Sequence, residues 1–173
     1  MAMTENDTAR SLFVTGLKNA HALEQQASQI IERQLNRIEN YPEVAARLRT
    51  HLNETHAQQK RLEDILGALN ESPSTIKDLA AGFMGNMAAL AHTPAPDEIL
   101  KNTFANMAFE NYEIASYKSL IAMAEMGNEM PAVDMLKESL HEEEEMAHWI
   151  DEHLRSLTMS YVERRERGIQ ADR

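Results

Sequence analysis

Four long stretches of this chain place apolar residues three and four positions apart, and that periodicity most narrows the folds open to it. At about 100° per residue such a spacing lays one stripe along a helix, and the stripe must be buried against other helices. The first stretch runs from about residue 8 to 38 and carries Phe13, Leu17, Ala20, Ala27, Ile31, Leu35 and Ile38. In the polar lead before it, Asn6 or Asp7 suits a helix cap. NYP at 40–42 breaks the pattern, and Pro42 suits the first turn of a second stretch that reaches about Leu69. NESPS at 70–74 ends that one. The third follows TPAPDE (93–98) and reaches about Met126, and GNEMP (127–131) turns the chain into the fourth, about 132–157.

The connections are unequal. Short turns join the first stretch to the second and the third to the fourth, so each pair is expected to form an antiparallel hairpin. A much longer link joins the hairpins, and within it STIKDLAAGFMGNMAALAH reads as an accessory helix with Met84, Met87 and Leu90 available for packing. The expected fold is all-α: an antiparallel four-helix bundle with an accessory helical crossover between helices 2 and 3, over about 74–92. Residues 1–7 are expected to be a flexible lead, 8–160 the bundle, and 161–173 a flexible charged tail.

Composition agrees and removes several function classes. A chain of 173 residues suits one domain, and 6 Gly and 5 Pro leave long helices uninterrupted. The net charge of −11 argues against nucleic acid, whose phosphates call for Lys and Arg, but suits cations. With 0 Cys there is no disulfide, thiolate metal site or cysteine nucleophile. The start, MAMTENDTAR, is polar, and no apolar run approaches about 18 residues, so neither a signal peptide nor a membrane span is expected. A cytoplasmic location follows as the expectation. Neither a nucleophilic triad nor a glycine-rich phosphate loop is present.

Carboxylates interrupt the stripes. Glu24 lies at the centre of the first, Glu110 of the third and Glu143 of the fourth, with Glu113 off-centre beside Glu110 and Glu54 toward the edge of the second. Glu144, Glu145 and largely Glu142 point outward from the run HEEEEM (141–146). An unpaired buried carboxylate costs several kcal/mol, and four or five in one core repel one another. No Lys or Arg occupies the inward positions near them. Two divalent cations bring four positive charges against those carboxylates, and oxygen ligands with one imidazole suit iron or manganese better than zinc or copper. Within each hairpin, Glu24 with Glu54 and Glu110 with Glu143 fall at similar depth. Tyr117 is expected in core packing, with a hydrogen bond to a site carboxylate as the alternative. His21, His56, His92, His141, His148 and His153 are expected at edges or on the surface, and Trp149 at an edge or interface.

Carboxylates from four helices with a long second-to-third crossover resemble the ferritin-like superfamily, including bacterioferritin and rubrerythrin. Through NAHALEQQA, HLNETHAQQKRLEDIL, FENYEIASYKSL and LHEEEEMAHWI, nearly the whole chain resembles the YciE/YciF family of stress-associated ferritin-like proteins. NYPEVAARLRTHLNET and PDEIL are most similar to the YciE branch. The resemblance implies Glu24, Glu54, Glu110 and Glu143 as carboxylate ligands and Glu113 as an additional one. It departs from the usual Glu-x-x-His pattern, because Ala57 and Met146 stand where histidines are expected. His51 and Gln58 are the polar substitutes on that face, His51 being either a ligand or a core histidine bonded to a carboxylate. The resemblance further implies a homodimer and ferroxidase-like oxidation of Fe(II) at a di-metal site in a stress response. The alternatives are a non-catalytic metal-binding or structural stress protein and, third, a manganese catalase-like activity.

Overall fold

Breaks in the sequence pattern become helix ends in space. The computed structural model describes residues 5–73 and 95–173, with helices α1 (Glu5–Leu35), α2 (Pro42–Ala68), α3 (Glu98–Met126) and α4 (Met130–Glu166). No strand occurs among the described residues. Proline opens α2 and α4, where its missing amide hydrogen leaves no helical bond unmade. Asn70 and Asn128 take φ of 58° and 59° just past α2 and α3. Behind them, the Glu71 amide donates to Leu66 O and the Glu129 amide to Ala124 O. These bonds close each helix through one left-handed residue, a conformation asparagine tolerates better than most.

Residue pairs give the direction of each helix. Lys18 meets Glu71 and His21 meets Glu63, so α1 and α2 run antiparallel. Tyr117 meets Glu24 and Asn106 meets Gln34, so α3 is antiparallel to α1. Arg61 meets Glu138 while His51 approaches Glu143, so α4 is antiparallel to α2. Each helix therefore packs against two antiparallel neighbours, and α2 and α3 run parallel across the diagonal. Parallel helices require the long link. The expected crossover helix at about 74–92 lies outside the described residues.

Apolar layers fill the bundle on both sides of a polar middle. Phe13, Leu17, Leu62, Leu66, Leu120 and Leu136 form one layer. Ile31, Leu48, Met146 and Ile150 form another, and Tyr41, Ile99 and Leu157 close the far end. Each fully buried Leu or Phe contributes about 1.5–3 kcal/mol, so these layers carry the hydrophobic stabilisation that surrounds the carboxylates.

At the N-terminal end, residues 5–7 belong to α1. The segment 161–173 continues α4 to Glu166, stops at Gly168 with φ 67°, and returns over the end of the bundle. Tyr41 Oη donates to Ala171 O at 2.6 Å, the Ile99 amide to Asp172 O at 2.8 Å, and Asn40 Nδ2 to Arg173 O at 2.7 Å. The anchors are backbone carbonyls, so this segment docks without an apolar stripe of its own.

Candidate metal centre

Every helix sends acidic side chains to the same level. Glu24 comes from α1, His51 and Glu54 from α2, Glu110 and Glu113 from α3, and Glu143 from α4. All but Glu54 are at most 4% exposed. His51 Nε2 lies 3.2 Å from Glu110 Oε2 and 3.7 Å from Glu143 Oε2. One ligand atom from each of these three residues falls within 4.8 Å of the other two. On the opposite side of the ring, His51 Nδ1 lies 2.9 Å from Glu54 Oε2, which also accepts from Arg47 Nη1 at 2.9 Å. Tyr117 Oη donates to Glu24 Oε1 at 2.6 Å. Glu24 Oε2, Glu110 Oε2, Glu113 Oε1 and both Glu143 oxygens are buried with no protein hydrogen bond.

Protonation answers part of this charge. Burial pushes the Glu24 carboxyl up to about 8 despite the Tyr117 hydrogen bond. Burial, reinforced by the other glutamates, also holds Glu113 and Glu143 well above the carboxylate range. For Glu110 burial pulls the same way, but the adjacent His51 charge outweighs it and leaves it lowered. Burial likewise opposes ionisation of Glu54, yet His51 and Arg47 lower it. His51 itself, penalised by burial but held by Glu110 and Glu54, rises to about 10. The protein alone thus balances His51 and Arg47 cations against Glu54 and Glu110, with Glu24, Glu113 and Glu143 neutral.

That balance still leaves buried oxygens without donors, which is costly. Hard oxygen donors with one imidazole are the set that iron or manganese prefers. The residues present fit a divalent cation, with His51, Glu110 and Glu143 as the group able to hold it.

Several neighbours depart from the sequence reading. Arg47 reaches Glu54 from two turns away, so a cation does stand beside these carboxylates. A long side chain at the stripe's edge is not counted as inward by periodicity, which is why Arg47 escapes the pattern. Arg61 similarly reaches across to Glu142 at 2.7 Å, and Gln58 Nε2 donates to the same Glu142 rather than toward the site. His21, expected at the surface, is 5% exposed and paired with Glu63. Tyr117 makes the alternative contact as well as packing in the core. Glu144 is exposed and paired with Lys118, as the outward face of HEEEEM requires.

Comparison with known proteins agrees with the fold. The family described as Domain of unknown function (DUF892) matches residues 8–163. Protein YciF of Escherichia coli (strain K12) is 27% identical over 147 residues, covering 79% of this chain and 84% of that protein. A crystal structure of a protein from Xanthomonas campestris pv. campestris str. ATCC 33913 superposes with a TM-score of 0.79 at 32% identity, covering 91% of this chain and 99% of that one. The crystal structure of the E. coli stress protein YciF gives a TM-score of 0.70 at 25% identity, covering 83% and 92% respectively.

Proposed function

The chain belongs to the DUF892 family, among YciF-like stress proteins, and from that premise we propose that it is a ferritin-like di-metal carboxylate protein with ferroxidase-like activity. The observation that carries this reading is the set of buried, donor-less carboxylate oxygens gathered around His51. His51, Glu110 and Glu143 hold the first cation, and Glu24 and Glu113 supply oxygens for a second. When bound, an iron pair supplies one-electron chemistry, passing electrons from Fe(II) to oxygen or peroxide; manganese is the alternative metal. The protein's own part is to gather negative charge that favours the higher oxidation state, to fix Glu24 through Tyr117, and to exclude water with the apolar layers.

The reading extends to a cytoplasmic homodimer of the YciE branch, acting in a stress response, with neither nucleic acid nor membrane as a partner. Among the described residues no helix is long and apolar enough to cross a membrane. A non-catalytic protein that holds metal for stability, and acts through protein contacts, is the second reading; the missing Glu-x-x-His histidines favour it. Metal analysis after purification without added metal, followed by Fe(II) oxidation under oxygen or peroxide, separates them. Bound iron with turnover supports the first and bound metal without turnover the second. A protein that neither retains nor takes up metal defeats both.

A further inference from the structure

Glu54 keeps different company from the other carboxylates. Its Oε2 accepts from Arg47 Nη1 and from His51 Nδ1, each at 2.9 Å. Its side chain is 20% exposed, against 5% for Glu110 and 0% for Glu143. An oxygen that accepts from both a guanidinium and an imidazole has its lone pairs engaged. Ligation through it would break the ion pair and set a divalent cation beside the Arg47 charge. Glu24, Glu113 and Glu143 have the opposite problem, because Glu24 Oε2, Glu113 Oε1 and both Glu143 oxygens are buried without a hydrogen-bond partner.

Helix geometry explains the arrangement. Arg47, His51 and Glu54 follow one another at successive turns of α2, so a single rigid element aligns all three. The imidazole then has two distinct ends. Nδ1 is occupied by Glu54, while Nε2 is turned to Glu110 and Glu143. A histidine that donates one ring hydrogen to a carboxylate presents the other nitrogen's lone pair in a fixed direction, and the carboxylate makes it more basic. We infer that Glu54 is a positioning residue, held by Arg47, that orients His51 Nε2 toward Glu110 and Glu143 instead of binding metal itself. This assignment rests on the metal reading above and removes Glu54 from the ligand set expected from sequence.

The test is a manganese(II) titration, followed by the signal of free ion, on the full chain and on Glu54→Gln, Glu54→Ala and Glu110→Gln. Glu54→Gln is expected to keep the stoichiometry with affinity near wild type, because its amide oxygen still accepts from Nδ1–H. Glu54→Ala keeps the stoichiometry while its affinity falls about 10–100-fold. Glu110→Gln loses stoichiometry. If Glu54→Gln loses as much metal as Glu110→Gln, Glu54 is a ligand and the assignment is overturned. Nitrogen-15 NMR of the metal-free protein reads the same geometry independently. The His51 Nδ1–H resonance should persist in Glu110→Gln and be lost or moved upfield in Glu54→Ala. An unchanged resonance in Glu54→Ala overturns the positioning role. A wild-type chain that takes up no manganese while the NMR result holds overturns the metal reading alone.

Discussion

Glu143 and Glu144 are adjacent in the chain and opposite in fate. Glu143 is fully buried with both oxygens unpartnered, whereas Glu144 meets solvent and Lys118. A count of about 100° per residue separates them, and it also places Glu24 and Glu110 inward. It cannot register Arg47, whose effect depends on the reach of a flexible side chain rather than on the direction of its Cβ. Glu143→Gln is therefore expected to lower metal stoichiometry while costing the metal-free fold little, because it keeps the shape of a carboxyl already neutral there. Glu110→Gln also lowers stoichiometry, but it destabilises the metal-free fold by removing the anion that pairs with His51. Glu144→Gln should change neither. Metal analysis with melting curves for the three variants checks this, and metal loss confined to Glu144→Gln would reverse the assignment of faces. Tyr117→Phe strips the donor from buried Glu24 Oε1 and should destabilise the metal-free protein by about 1–3 kcal/mol, as read by urea unfolding.

The four helices themselves were legible because Pro42, Pro131 and the Asn-containing turns punctuate long apolar stripes. The end of α4 was less so. Its charged composition suggests fraying, yet Gly168 directly follows the C-cap Arg167, and the Ile169 amide donates to Arg164 O. Glycine in that position is a stop signal that the charge pattern obscures. The docking beyond it uses the carbonyls of Ala171, Asp172 and Arg173, which no side-chain periodicity reports. Gly168→Ala must hold a Cβ at φ 67° and should cost about 1 kcal/mol. Removing residues 169–173 strips the acceptors of Tyr41 and Ile99 and should lower the melting temperature by more than Gly168→Ala does. Calorimetry on the two variants ranks them, and a truncation without effect would show that the returning segment contributes nothing to the bundle's stability.

Bundle and site are one design problem: the apolar layers that stabilise the fold also deny the carboxylates water, so stability becomes a function of pH and metal together. Glu24, raised to about 8, and Glu113 and Glu143, both raised well above the ordinary value, hold protons in the fold that the unfolded chain releases near the usual carboxylate pKa. The native state binds more protons across that window, so stability falls as pH rises through it. His51, raised to about 10, acts in the same direction: its contribution is complete below its unfolded value of 6.5 and is lost as pH rises through 10. Glu54 and Glu110, both lowered, act oppositely, and their contribution disappears only as pH falls below the usual carboxylate value of 4.5. The metal-free protein should therefore melt highest near about pH 4.5 and progressively lower toward about pH 8. A divalent cation takes the place of the protons on the glutamates and on His51, so uptake releases protons and tightens with pH. The gap between metal-loaded and metal-free melting temperatures should accordingly widen from about pH 6 to about pH 8. Melting curves in chelator and in saturating manganese across that range measure it. A metal-free protein that grows more stable over the same interval would mean that its buried glutamates are ionised in the fold, and the charge balance assigned here would not hold.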